Sequence, residues 1–134
     1  MKIAVVGSRN FTDKHFIHIT LPDYFSSPSR EDVLISGGAK GVDTIAEEFI
    51  DSWKNANINI YGQSPDKFKI TKKIFKPDWN KYGKSAGFIR NELIIKEADH
   101  IIAFWDGQSK GTKHSIDLAI KAGKPIDIYI RKIK

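Results

Sequence analysis

Short apolar runs alternate with stretches of helical spacing along the whole chain. The runs predict five strands, at residues 3–6, 33–35, 58–61, 101–104 and 126–130. Apolar positions three and four residues apart predict the helices between them, at 42–53, 86–98 and about 112–122, with a further helix starting near Thr12 or Asp13 and ending by Pro22. Residues 62–77 are ambiguous, with a strand-like alternation, and "PDWNKYGK" is typical of a loop.

Strand and helix that alternate in this way predict an α/β fold, a mainly parallel sheet of about five strands with helices on both faces. The chain has 134 residues, 40% of them hydrophobic, and shows neither an internal repeat nor a linker. We therefore expect one domain over 1–134.

Composition excludes several classes of protein. Without cysteine the chain can form neither disulfides nor a thiolate metal site, and its four histidines show no metal-ligand spacing, so we expect no metal and no cofactor. The apolar runs are much shorter than the ~20 residues of a membrane span. Because the first run is also too short for a signal peptide, we expect a cytoplasmic protein.

The net charge of +6 has two interpretations. A basic surface attracts nucleic acid or a phosphorylated small molecule. Most of the excess is lysine, concentrated at 67–76 and at the C-terminus, which is equally typical of a solubilising surface.

Three predicted strands end in loops of small and polar residues, "GSRNF", "SGGAKGVD" and "WDGQSKGT". In a parallel sheet these loops share one edge, where glycines let main-chain N–H groups approach a ligand and helix N-termini favour an anion. Each loop also has a purely structural explanation. Gly7 can end a strand, Gly41 can allow close helix packing, and Ser109 and Thr112 can cap a helix.

The sequence contains no P-loop, and "GGAKGVD" does not fit a dinucleotide fingerprint. Taken together, "GSRNF", "SGGAKGVD", "DWNKYGKSAGFIRNE" and "AFWDGQSKGT" resemble the YspA-like branch of the SLOG superfamily. That superfamily includes the Lonely Guy phosphoribohydrolases and the DNA-processing protein DprA. The resemblance implies a Rossmann-like three-layer sandwich, a nucleotide or nucleotide-derived ligand, and a homodimer or higher homo-oligomer.

The Lonely Guy pattern transfers only in part. Its helix arginine resembles Arg90, and its phosphate loop resembles the segment from Gly107 to Thr112. Three residues after the threonine those enzymes carry a catalytic glutamate, where this chain has Ser115, and a neutral hydroxyl cannot replace a carboxylate in glycosidic cleavage. If catalysis occurs, the carboxylates to test are Asp43, Asp78, Glu92 and Asp106.

We expect Arg90 to be buried, because it shares a helical face with Ile94, and a buried arginine needs an anion from the protein or a ligand. Trp79 and Tyr82 either stack on a base or cover the following helix, Trp105 has the same two interpretations, and Trp53 is expected in the core. The expected ligand contacts are Gly7, Ser8, Arg9, Ser36, Gly37, Gly38, Gly41, Asp43, Trp79, Arg90, Asn91, Asp106, Gly107, Ser109, Gly111 and Thr112.

Three functions remain open from the sequence. The first is a module that binds a nucleotide or nucleotide-derived molecule, as a sensor or sequestering protein. The second is a hydrolase of a nucleotide's glycosidic or phosphate bond. The third is a single-stranded nucleic-acid binder that uses the basic segment 67–76.

Overall fold

The computed structural model describes residues 1–25, 31–61 and 70–131, and the side chains of all of these except 53–61. The strands are β1 (Lys2–Gly7), β2 (Asp32–Ser36), β3 (Ile70–Ile74), β4 (His100–Trp105) and β5 (Ile126–Ile130). The helices are α1 (Lys14–Thr20), α2 (Val42–Tyr61), α3 (Trp79–Tyr82), α4 (Ala86–Glu97) and α5 (Lys110–Lys121), with short 3₁₀ turns at Leu21–Asp23 and Gly83–Ser85.

The five strands form one parallel sheet in the order β3-β2-β1-β4-β5. This confirms the α/β fold with a parallel sheet. The strand order reverses between β1 and β4, whose pairing runs from Ile3 opposite His100 to Gly7 opposite Phe104. In open sheets of this kind the crevice at such a switch point is the usual place for a ligand.

Helices cover both faces of the sheet and make three layers. Ile3 and Val5 of β1 pack into one buried cluster with residues of α1 and α2. Ala4 and Val6 point to the other face and join a second cluster with residues of α4 and α5. Because both faces of β1 are covered, its run of apolar residues is continuous rather than alternating, as expected for a central parallel strand.

The prediction of a strand at 58–61 is wrong, because these residues form the last turn of α2. Periodicity cannot separate a strand from a helix over four residues, and Ile60 and Tyr61 also continue the helical spacing from Trp53. The third strand is β3, within the segment that the sequence left ambiguous. It lies at the edge of the sheet, and four of its five residues are exposed, so it carries little apolar signal.

The segment predicted as the loop "PDWNKYGK" contains the short helix α3, with Asp78 as its N-cap. The side-chain oxygen of Asp78 accepts a hydrogen bond from the main-chain N–H of Lys81 at 3.1 Å. At α1 the N-cap is Asp13 rather than Thr12. The side chain of Trp53, predicted in the core, and the lysines of 67–69 lie outside the described residues.

Among the described residues no helix combines the length and the apolar character needed to cross a membrane.

Candidate functional site

The loops after β1, β2 and β4 meet at the carboxyl edge of the sheet. The hydroxyl of Ser8, just after β1, lies 3.2 Å from the hydroxyl of Thr112 in the first turn of α5. On the other side, Gly41 (φ +88°) lies against the main chain of Arg9, and a Cβ on this glycine would be 2.8 Å from the Arg9 carbonyl oxygen. This contact explains why residue 41 is a glycine: a side chain there would push the loop after β2 away from the loop after β1.

A network of buried polar groups holds the loop after β4. The main-chain N–H of Asp106 donates to the hydroxyl of Ser8 at 3.2 Å. One carboxylate oxygen of Asp106 accepts hydrogen bonds from the N–H groups of Gln108 at 2.9 Å and Ser109 at 2.7 Å. Burial acts to raise the pKa of Asp106, but the N–H groups of Ser109 and Gln108 and the hydroxyl of Ser8 outweigh it and lower the pKa. Asp106 is therefore a fixed anion that shapes its own loop.

Trp105 belongs to the same loop and is half-buried. Its indole N–H donates to the main-chain oxygen of Ser109 at 3.0 Å, and its ring packs on the core beneath α4 and α5. Of the two interpretations from the sequence, the structure supports the packing role for Trp105.

Arg90, Asp43 and Gly37 form a second cluster, between α4 and the loop after β2. Arg90 is half-buried, and its Nη1 donates to the main-chain oxygen of Gly37 at 2.8 Å. Burial lowers the pKa of Arg90, Asp43 acts to raise it, and Arg9 acts to lower it. The predicted burial of Arg90 is thus confirmed in part. Its surroundings within the protein include the carboxylate of Asp43 and the guanidinium of Arg9.

Asp43 is 7% exposed and organises the glycine loop. Its carboxylate accepts a hydrogen bond from the N–H of Ala39 at 3.1 Å. Burial raises the pKa of Asp43 to about 6, against the opposing effect of the Ala39 N–H and the Arg90 guanidinium. The carboxylate of Glu47 also acts to raise the pKa of Asp43, so the surroundings of this cluster hold two arginines, one easily protonated carboxyl and a second carboxylate.

Asn91 connects the two clusters. Its side-chain oxygen accepts from Arg90 Nε at 3.0 Å, and its Nδ2 donates to the main-chain oxygen of Gly111 at 3.4 Å. The same Nδ2 lies 3.3 Å from Nδ1 of His114. Because an amide nitrogen can only donate, this contact is a hydrogen bond only when Nδ1 of His114 is the acceptor. Asn91 is thus a link within the protein, from Arg90 to the start of α5.

The N-terminus of α5 is open to a ligand. Gly111 is exposed, and a Cβ built there would meet nothing within 4 Å. The first turn of a helix presents N–H groups that have no partner inside the helix, and these favour an anion. Ser115, where Lonely Guy enzymes have a glutamate, is buried at 2% exposure.

The remaining expected residues divide into two groups. Gly7, Ser36, Gly38 and Gly107 lie at the same edge as the clusters, where Ser36 accepts a hydrogen bond from the N–H of Gly38 at 3.2 Å. Glu92 is exposed on α4, and Asp78 caps α3, so these two carboxylates are not part of either cluster. Among the described residues no group of three or more potential ligands is placed to hold a metal ion.

A fourth segment reaches this edge because β3 runs parallel to the other strands. It brings Lys76, the last residue of the basic segment 67–76, beside Gly38, where a Cβ would lie 3.7 Å from Lys76 Cγ. Trp79 and Tyr82 follow, 57% and 40% exposed. A Cβ on Gly87 of α4 would lie 3.8 Å from the Trp79 ring, so Trp79 lies partly over α4 while more than half of its surface stays exposed. His114 was also not expected in the site, although its position three residues after Gly111 places it on the same side of α5, one helical turn further along.

Comparison with known proteins supports the resemblance. Residues 1–57 match the model of the family described as "YspA, cpYpsA-related SLOG family". The Gene 61 protein of Mycobacterium phage D29 is 33% identical over 126 residues, which cover 93% of each chain.

Two solved structures of DNA processing protein A share the fold. The protein from Helicobacter pylori, whose single-stranded DNA binding mode has been described, matches all of this chain and 67% of its own, with a TM-score of 0.62 and 26% identity. The protein from Streptococcus pneumoniae matches with a TM-score of 0.60 and 21% identity over 96% of this chain, which spans about half of that protein (49%). The loop after β1 and the Gly37–Gly41 loop both lie within residues 1–57, the part that the family model matches. This chain belongs to the YspA, cpYpsA-related family of the SLOG superfamily.

Proposed function

We propose that this protein binds a nucleotide or nucleotide-derived molecule through its phosphate group at the carboxyl edge of the sheet. The observation that carries the proposal is that Arg90 and Arg9 lie close enough beside the glycine loop to affect each other electrostatically, while burial raises the pKa of the neighbouring Asp43 carboxyl to about 6 and so weakens it as a counter-charge. A phosphate carries the negative charge and the acceptor oxygens that a planar guanidinium binds through two parallel hydrogen bonds.

Two groups at this edge are open to a phosphate. The exposed first turn of α5 at Gly111 offers main-chain N–H groups, and Arg9 offers an exposed guanidinium, so both can reach a phosphate. Ser8 and Thr112 are nearly fully buried and bonded to each other, so they support the loops and do not form the contact surface.

Calorimetry with matched ligands tests the proposal. Nucleoside monophosphates should bind and raise the melting temperature, whereas the corresponding nucleosides should bind at least tenfold more weakly. Arg9→Gln should weaken binding of the monophosphates, and Lys121→Gln, which removes the same charge from the far end of α5, should not. Equal affinity for nucleosides and monophosphates would overturn the proposal.

Single-stranded nucleic acid is a second candidate, and one observation favours it. Trp79 and Tyr82 are exposed on α3 next to the exposed Lys81 and Lys84, a combination of stacking surfaces and cations that suits an unpaired strand. The likeness to the Helicobacter pylori protein supports the same candidate.

Fluorescence anisotropy with labelled oligo-dT distinguishes the two candidates. A strand binder should lose affinity steeply between about 50 and 200 mM salt. Trp79→Ala should weaken strand binding and Trp79→Phe should retain it, because both aromatic rings stack on a base. If Trp79→Ala leaves oligonucleotide affinity unchanged, this second candidate fails while the first still stands.

Whether the protein also cleaves its ligand is tested separately. Among the carboxylates at this edge of the sheet, Asp106 is the best candidate for a catalytic group. It contacts Ser8 and Ser109 at the switch point, and its lowered pKa keeps it ionised. Chromatography of mixtures of protein and nucleoside monophosphate should detect free base if the protein is a hydrolase, and Asp106→Asn should abolish the release. If the protein binds the nucleoside monophosphate and releases no free base, it is a binding module and not a hydrolase of the glycosidic bond.

A further inference from the structure

Arg90 and Asp43 bear groups of opposite charge and lie close together beside Gly37. A Cβ built on Gly37 would overlap Nη1 of Arg90 and would lie 3.0 Å from Oδ2 of Asp43, so both groups approach the same point. Each of the two also affects the pKa of the other. In the described part of the chain, however, neither a hydrogen bond nor an ion pair joins these two side chains. Each is bonded to other groups of the protein instead.

Both side chains keep hydrogen-bonding capacity for another molecule. Arg90 uses Nε for Asn91 and Nη1 for Gly37, and among the described residues its Nη2 has no hydrogen-bond partner. A carboxylate can accept about four hydrogen bonds. The donors near Asp43 are the main-chain N–H groups of Ala39 and Gly37, which leave part of that capacity unused. An unused donor and an unused acceptor therefore belong to neighbouring side chains at the carboxyl edge of the sheet.

Burial makes this pair of groups selective. Asp43 is 7% exposed and Arg90 is half-buried, so water competes only weakly for them. A buried site that is built to hold a polar group discriminates strongly against a molecule that lacks the group, because the site's own donors and acceptors are then left unpaired.

We propose that Asp43 and Arg90 together bind one hydroxyl group of the ligand's ribose, which donates to the Asp43 carboxylate and accepts from the Arg90 guanidinium. At neutral pH phosphate oxygens accept and exocyclic amino groups donate, whereas a hydroxyl does both through a single oxygen atom. The ribose is joined directly to the phosphate, so a phosphate bound at this edge of the sheet brings the hydroxyls to the cluster. This inference rests on the proposed function and assigns its ligand to a class, ribonucleotides rather than deoxyribonucleotides.

Calorimetry with matched nucleotides tests the inference on the natural chain. Each ribonucleoside monophosphate is compared with its 2′-deoxy and 3′-deoxy forms, and loss of the hydroxyl that Asp43 and Arg90 hold should weaken binding at least tenfold. Methylation of the same hydroxyl keeps the acceptor oxygen and removes the donor, so it should weaken binding as well. Equal affinity for all three forms would overturn this inference and leave the phosphate site standing. If none of the three forms binds, the proposed function fails together with it.

Asp43→Asn separates a contact with the ribose from a general effect on the loop. An amide nitrogen cannot accept a hydrogen bond, so the amide oxygen must stay with the N–H of Ala39, and the nitrogen that faces the ligand cannot accept from the hydroxyl. The variant should therefore still bind nucleotides, with nearly equal affinity for the ribose and deoxyribose forms. Glu48→Gln is the control, because it removes an exposed carboxylate of α2 that pairs with Lys14 at 3.3 Å, and it should keep the natural preference.

A preference for ribose that persists undiminished in Asp43→Asn would overturn the role given to Asp43. If that variant does not fold, the comparison of ribose and deoxyribose forms on the natural chain still decides the question.

Discussion

Arg90 of α4 donates a hydrogen bond from Nη1 to the main-chain oxygen of Gly37, the residue that follows β2, at 2.8 Å. The contact is possible because Gly37 has no side chain: a Cβ there would overlap Nη1 of Arg90. Gly37 is therefore required for a structural reason, independent of any ligand: only a glycine at this position leaves room for the Arg90 side chain from α4.

Gly37→Ala should displace Arg90 and weaken both the loop and ligand binding. We expect a loss of about 1–3 kcal/mol in the free energy of unfolding, since the added methyl group breaks a partly buried hydrogen bond. Gly87→Ala is the matched control, because the nearest atom to its new Cβ is 3.8 Å away and alanine is favoured within a helix. Urea denaturation of both variants measures the difference, and equal effects would contradict the role given to Gly37.

Arg90→Lys should lower nucleotide affinity at least tenfold, although it keeps the charge. One ammonium group cannot serve Gly37 and Asn91 in the geometry that the planar guanidinium provides through Nη1 and Nε. Arg131→Lys is the control, since Arg131 contacts the ring of Phe16 as a cation and lysine can do the same. Calorimetry with a nucleoside monophosphate makes the comparison, and unchanged affinity in Arg90→Lys would remove this residue from the proposed site.

Asp43 should make stability fall as the pH rises from about 4 to 6. Its pKa is about 6 in the folded protein against 3.8 for the ordinary carboxyl, so the unfolded chain releases this proton first. Ionisation therefore favours the unfolded state through this interval, by up to about 3 kcal/mol, and the effect is constant above pH 6. In Asp43→Asn this contribution is absent.

Urea denaturation at pH 4.5 and pH 7 should show the natural chain losing stability relative to Asp43→Asn. A difference between the two proteins that does not change with pH would refute the assignment.

Lys124 should contribute strongly to the stability of α4. Its ammonium group donates to the main-chain oxygens of Ile95, Lys96 and Ala98 at 2.5, 2.7 and 2.7 Å, at the end of the helix where a positive charge is favoured. We expect Lys124→Met to lower the free energy of unfolding by roughly 2 kcal/mol, because it leaves carbonyl groups without their donor. Lys121→Met, exposed in the last turn of α5, should change it by less than about 0.5 kcal/mol. Equal midpoints in urea for the two variants would contradict this.

Local sequence patterns were sufficient for much of the fold. The predicted strand at 126–130 has the bounds of β5, and the glycine and serine loops lie at one edge, because parallel strands must end on the same side. The strand predicted at 58–61 failed for a physical reason. An apolar run of that length fits a helix as well as a strand, and the true third strand is an exposed edge with little apolar signal.

The contacts within the candidate site depend on tertiary structure. Asn91 and His114 are 23 residues apart, and Arg90 and Gly37 are 53 apart, so no local pattern records that they touch. The sequence by itself determined which segments are strands or helices over most of the chain, and which loops carry glycine and hydroxyl groups, because these depend on neighbours along the chain. Only the packing of α4 over the sheet decided that Arg90 meets Gly37 and Asp43, because burial and electrostatics depend on distances through space.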